Sequence, residues 1–172
     1  MKRVFNLVNY VMTNMKISLR KAILIDSDKI LAWRNEPTTI PWMGATRALS
    51  LEEHQSWFEK SLQDPHCLFF IIEANSEPAG QIRYVLNSDI IPNAAKVSIN
   101  IAQKMHGKGI ASAAFRKGSE LVRYYDFSKN IFAYVQPNNI GSIKAMENAG
   151  FARDKIVMLH DLQHLIMIDH DK

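Results

Sequence analysis

The segment Ile99-Asn100-Ile101-Ala102-Gln103-Lys104-Met105-His106-Gly107-Lys108-Gly109-Ile110-Ala111 runs from a strand-like pattern through a glycine-containing turn into a helix. Gly107 and Gly109 let the backbone approach a ligand closely and take conformations that other residues resist. The first amides of a helix have no partner inside it, and the helix dipole is positive at that end. Lys108 adds a full charge. A phosphate or diphosphate suits such a turn. The spacing is neither GxxxxGK[ST] nor GxGxxG. The same glycines also fit a strand-to-helix turn that needs them for its backbone alone.

A second group is Pro137-Asn138-Asn139-Ile140-Gly141-Ser142, followed by Gly150-Phe151. Asn139 and Ser142 are three apart and share one face of a first helical turn. Asn139 also suits an N-cap. A third is Ala32-Trp33-Arg34-Asn35-Glu36-Pro37 with Trp42-Met43, which locally is a helix end with a proline stop and aromatics that dock a loop.

These groups must be positioned by an α/β domain. Residues 16–25 (KISLRKAILI) predict a strand, and Asp26 or Asp28 predicts the cap of a helix through about residue 35. Ser50-Leu51-Glu52-Glu53 is a capping box for a helix whose inner face carries Leu51, His54, Trp57, Phe58, Ser61 and Leu62. Residues 67–74 and 79–86 predict a hairpin across a 75–78 turn. Residues 95–101 alternate Val97, Ile99 and Ile101 against Lys96, Ser98 and Asn100. A helix over about 109–125 presents a stripe of Ala111, Ala114, Phe115, Gly118, Leu121, Val122 and Tyr125. A strand over 130–136, a helix over 139–149 with Gly150 as its αL cap, and two strands over 151–159 and 163–168 complete the chain. The order is β-α-α-β-β-β-α-β-α-β-β, with two hairpins and crossover helices making a mixed sheet.

The chain has 172 residues, the size of one domain, with a net charge of +4 and 47% hydrophobic residues. That charge suits an anionic small ligand and argues against nucleic acid as a partner. Cys67 is the only cysteine, so no internal disulfide forms. No apolar run reaches a membrane span, and Asn6, Asn9 and Asn14 interrupt the N-terminal apolar stretch. The expectation is a cytoplasmic protein with residues 1–15 as an N-terminal extension and 16–172 as one domain. His160 and His164, with Asp161, Asp169 and Asp171, fall on a hairpin without HExxH spacing, so no metal is expected. Edge strands near the C-terminus are available to pair in a homodimer.

Taken together, the motifs resemble the GNAT superfamily of acetyl-CoA-dependent N-acetyltransferases. The resemblance runs from Ile17 to about Asp169. His106-Gly107-Lys108-Gly109-Ile110-Ala111 corresponds to the family's Q/R-x-x-G-x-G/A loop, with histidine at the first position. Asn139, Ser142, Gly150 and Phe151 match its later N-x-x-S and G-F. The resemblance implies a single-domain, mostly antiparallel sheet flanked by helices. It implies that the backbone of Ile99 and Ile101 pairs with the pantetheine arm, and that one of their amides polarises the thioester. It implies that residues 106–111 hold the diphosphate and that Asn139 and Ser142 line the cofactor arm. The family's usual tyrosine acid is replaced by Met146, which cannot donate a proton. Tyr134 and Ser142 are then the candidates to protonate the leaving thiolate, and Glu36 and His54, in the half that walls the acceptor site, are the candidate bases.

The string Arg34-Asn35-x-Pro37 with Trp42-Met43 resembles the subgroup that acetylates nucleotide-linked 4-amino-4,6-dideoxy sugars in nonulosonic acid pathways. That resemblance implies a substrate pocket of Arg34, Asn35, Trp42 and Met43, with Arg34 on a diphosphate and Trp42 on a uracil or sugar face. A similar element occurs in relatives that acetylate ribosomal protein N-termini. A non-catalytic CoA-binding module is the remaining alternative.

Overall fold

The computed structural model describes residues 15–43, 47–86 and 91–170. The expected N-terminal extension lies, apart from Met15, outside them. Seven strands form one sheet in the order β1-β2-β3-β4-β5-β7-β6. They are β1 (Ile17–Lys21), β2 (Cys67–Ala74), β3 (Glu77–Leu86), β4 (Ala94–Ile101), β5 (Asn130–Val135), β6 (Ala152–Leu159) and β7 (Leu162–Asp169). Four α-helices are described: α1 (Ser27–Arg34), α2 (Leu51–Gln63), α3 (Ile110–Tyr124) and α4 (Ile140–Ala149). Only the β4–β5 pair is parallel. The expected element order and mixed sheet are therefore both found.

Strand alternation assigns the faces. Phe70, Ile72, Ile82, Tyr84, Val97 and Ile101 turn to one side and pack with Ile110, Ala114, Phe115 and Val122 of α3 and with Ile143 and Met146 of α4. Phe69 and Ile71 turn to the other and pack with Ile30 and Trp33 of α1 and Phe58 of α2. Both faces of the sheet are thus covered around β2 and β3.

The helices begin and end where their residues require. Ser50 Oγ accepts the Glu53 amide, and a Glu53 carboxylate oxygen accepts the Ser50 amide. Asn139 caps α4 by accepting the Ser142 amide at 3.1 Å. Gly150 closes α4 at φ 105°, a left-handed conformation. The β2–β3 turn places Asn75 and Ser76 at positive φ, and the β6–β7 turn does the same with His160 and Asp161.

Four expectations are corrected. The strand expected over 16–25 ends at Lys21, and residues 24–26 form a 3-10 turn. Asp26 draws the chain round: its carboxylate takes both Arg20 guanidinium arms at 2.7 and 2.8 Å and the Ile23 amide at 2.9 Å. Asp26 thus does not cap α1 through its side chain. Tyr125, expected on the buried stripe of α3, is 50% exposed with Lys21 Nζ over its ring. Leu51, at the first position of α2, is likewise exposed.

α3 crosses the sheet closely at Gly118. A Cβ there would meet the buried Tyr84 hydroxyl at 2.1 Å. Tyr84 is fully enclosed and has no room to retreat. Gly118→Ala should therefore destabilise the fold by about 1–2 kcal/mol net, overpacking of ~1–3 kcal/mol outweighing the gain of alanine in a helix. Adding Tyr84→Phe, which removes the clashing oxygen, should restore part of that loss in a denaturant titration. Equal stability of Gly118→Ala and the parent would refute the close crossing.

Candidate active site

β4 and β5 pair only at residues 94–96 with 130–132. Beyond Lys96 the two strands part, and β5 continues beside β7 alone. The gap opens into a cleft of about 640 Å³ lined by β4, the turn after it, α3, α4 and the loop after α1.

The register shows which backbone groups face that cleft. The Ala102 amide donates to the Ala79 carbonyl, in line with the Gly80–Ile101 pairing of the β3–β4 ladder. Hydrogen-bonded pairs alternate along an antiparallel ladder. Asn100, Ser98 and Lys96 therefore direct their backbone groups to β3, and Val97, Ile99 and Ile101 direct theirs outward. The outward set includes both residues expected to meet a ligand through their backbone. Gly80 makes this close ladder possible, because a Cβ there would lie 2.4 Å from the Asn100 carbonyl oxygen.

Gly107 and Gly109 both sit at φ 73°. Gly109 is the N-cap residue of α3, and no side chain caps that helix. Its first amides therefore open onto the cleft, which Ile110, Ala111 and Ser112 line. The His106 ring folds back, with Nε2 2.8 Å from the Ile101 carbonyl, and so engages one of the outward groups of β4. Ile99, Ile101, His106, Gly107, Lys108, Gly109, Ile110, Ala111, Asn139, Ser142 and Trp42 all line the cleft. Asn139 meets it while its Oδ1 serves as the cap of α4.

The loop after α1 bridges the two diverging strands. The Glu36 carboxylate accepts the Gln103 amide at 3.0 Å, and Gln136 donates to the Pro41 carbonyl at 3.2 Å. Asn35 closes the loop from within, donating to the Leu49 carbonyl and accepting the Leu49 amide, both at 2.8 Å. The Arg34 guanidinium lies 5.9 Å from the Trp57 ring centre. Tyr134 packs edge-on against Phe132, with His164 beyond it. Glu36, Arg34, Asn35, Met43 and Tyr134 are not among the residues that line the cleft. Met146 is buried in the core under α3 and α4.

Several cleft residues escaped sequence reasoning, the buried Asn100 and Thr39 among them. Asn100 is 6% exposed, with Oδ1 3.4 Å from the Thr39 hydroxyl and no partner for Nδ2. Thr39 is also buried. The signal for Asn100 was the polar half of the β4 alternation, which matters only once helices are known to cover both faces of the sheet; Thr39, in the loop after α1, carried none. Among the described residues, no group of three or more metal-ligating side chains comes together. No described helix is long and apolar enough to cross a membrane. Burial pushes the Cys67 thiol up to about 11, which keeps it protonated and unreactive at neutral pH.

The sheet thus splits between its parallel strands, with a glycine turn and an uncapped helix at the split. The chain belongs to the acetyltransferase (GNAT) domain family, which matches residues 16–152. No curated protein matches it. Among solved structures, the aminoglycoside acetyltransferase AAC(6')-Ib in complex with coenzyme A is 22% identical, with a TM-score of 0.80 over 90% of this chain and 95% of that one. Spermidine N-acetyltransferase from Vibrio cholerae, in complex with CoA and spermine, is 18% identical with a TM-score of 0.78, covering 90% and 95%. RimJ from Mycobacterium smegmatis, in complex with CoA-disulfide, is 20% identical with a TM-score of 0.76, covering 90% and 81%. These likenesses are of fold.

The loop of the site depends on how α1 and α2 are held. His54 of α2 is buried, with Nε2 2.9 Å from the Ser27 carbonyl, so the neutral ring carries its proton on Nε2. Burial lowers its pKa below the ordinary histidine value. The unfolded chain then takes up the proton first as pH falls, so stability is complete above about pH 6.5 and declines below it. Melting temperature should fall from about pH 7 to about pH 5, and His54→Leu should show a shallower slope. An unchanged slope in that variant would remove His54 from the account.

Proposed function

We propose that this GNAT acyltransferase moves an acetyl group from acetyl-CoA to the primary amine of a small molecule, an amino sugar linked to a nucleotide. The observation that carries the proposal is the meeting, in one cleft, of the outward backbone of β4, the glycine turn and the uncapped start of α3. The amides of residues 107–111 fit a diphosphate, with Lys108 supplying charge. The outward edge of β4 fits an extended amide-bearing arm, which it would meet as a further strand.

The chemistry is direct transfer. The neutral amine attacks the thioester carbonyl carbon; a C–N bond forms, the C–S bond breaks, the amine loses a proton and the departing thiolate gains one. An outward amide of Ile99 or Ile101 serves as the donor to the carbonyl oxygen as charge develops there. Positioning in the cleft supplies much of the rest. Ser142 is the one cleft-lining member of the four proton-handling candidates, and we assign it the thiolate. Glu36 acts by fixing the loop through Gln103, and Tyr134 by packing.

The amino-sugar acceptor rests on the Arg34-Asn35-x-Pro37 and Trp42-Met43 string, with Trp42 on the cleft wall suited to a sugar or base face. Neighbours of the same fold include proteins named for aminoglycosides and for spermidine, which are likewise small amines. Thiol release from acetyl-CoA is the direct test, with a UDP-linked 4-amino-4,6-dideoxy sugar, kanamycin, spermidine and an N-terminal peptide as separate acceptors. Turnover of the sugar nucleotide is expected. Turnover of the peptide alone would discard the small-molecule acceptor while keeping the cofactor. Gly109→Asp, which puts a β-carbon at φ 73° and a negative charge in the loop, should abolish stabilisation by CoA in a thermal melt. Full stabilisation of that variant would overturn the loop assignment.

A further inference from the structure

Cationic side chains gather on the sheet face covered by α1 and α2. Strand pairing sets Gln81 beside Asn100, Arg83 beside Ser98, and Val85 beside Lys96. Side chains two apart share a face, so Asn100, Ser98, Lys96 and Arg83 form one polar track starting at the cleft. Arg34 joins it at Trp57: the Arg83 guanidinium lies 4.9 Å from that ring centre and the Arg34 guanidinium 5.9 Å. Burial pulls the pKa of Arg34, Arg83 and Lys96 down, and the Arg34 charge does the same at Arg83, as the Arg83 charge does at Lys96.

The ion-pair pattern is the reverse of what burial demands. Arg20, Arg47, Arg123 and Arg153 each hold a carboxylate. Arg34, Arg83 and Lys96, partly buried, with Arg83 feeling the charge of Arg34 and Lys96 that of Arg83, hold none among the described residues. Arg83 donates to the Ser61 hydroxyl at 3.4 Å, and Asp64 offsets its charge only from a distance, without pairing to it. Partly buried cations without counter-ions are costly. The track also begins at an unpartnered buried donor, Asn100 Nδ2, which opens on the cleft.

We propose that Arg83, Lys96 and Arg34 bind a phosphoryl group carried by the amine acceptor, at the far end of a track that starts at Asn100. A dianion answers three cations better than a carboxylate does. Arg83 lies level with Ser98 and Lys96 lies further on, so the phosphoryl group sits ~7–13 Å from the Asn100 position along the strand. The proposal rests on the acetyltransferase reading above and assigns the acceptor's anion to residues outside the cleft wall.

The test uses the full chain saturated with CoA, so that the glycine turn is occupied, and titrates inorganic diphosphate by calorimetry. One saturable site is expected. Arg83→Gln and Lys96→Gln should each weaken it at least roughly tenfold while CoA affinity stays at the parent value. Lys96→Gln keeps the test decisive if Arg83→Gln fails to fold. Absence of saturable binding to the parent, or parent-like binding in Lys96→Gln, would overturn the proposal. Failure of CoA itself to bind would instead strike the acetyltransferase reading, so the two failures are distinguishable.

Discussion

The parting of β4 from β5 is the constraint on which the molecule is built. Parallel strands pair through evenly spaced, slanted bonds, and here that pairing lasts for only three residues of β4. Past Lys96, β4 keeps β3 on one side and has an open edge on the other. An open edge inside a sheet is normally a liability. In this protein α3 and α4, the glycine turn and the loop after α1 enclose it, so the outward backbone groups are confined to a cleft.

The enclosure depends on a few polar contacts and two close approaches. Glu36 ties the loop to the turn after β4, and Gln136 ties the same loop to the end of β5. The loop therefore holds both sides of the gap. Gly80 lets β3 come close to β4 at Asn100, and Gly118 lets α3 come down onto Tyr84. Each of these sets the position of β4, on one side or the other, without touching a ligand.

Legibility in the sequence followed the range of the determining contacts. β2, α4 and the β6–β7 turn were readable because local pattern and turn chemistry decide them. The capping box at Ser50 was readable because all its partners lie within four residues. β1 was overextended because residues 22–25 look like strand and nothing local shows that Asp26 will be claimed by Arg20. The glycine turn and its helix were legible as one continuous motif. The polar track was not: Asn100, Arg83 and Lys96 are aligned only by strand pairing, and Thr39 reaches Asn100 only because the loop after α1 returns across the sheet. Lys96, Ser98 and Asn100 are the polar half of an alternating strand, and it takes α1 and α2 to turn that half into an interior surface.

β4 thereby separates three tasks that a single strand rarely has to share. Its backbone edge faces the cleft. Val97, Ile99 and Ile101 on one face belong to the core beneath α3. Lys96, Ser98 and Asn100 on the other face the side of α1 and α2. The period of two keeps these sets from interfering, because a change on the polar face alters neither the core nor the direction of the edge amides. The polar face can therefore change residue by residue along Asn100, Ser98 and Lys96 while the edge of β4 remains constant. A one-residue slip of β4 against β3 would exchange all three roles at once. The tight fit of Gly80 against Asn100 opposes that slip, so a position remote from any reacting atom protects the chemistry.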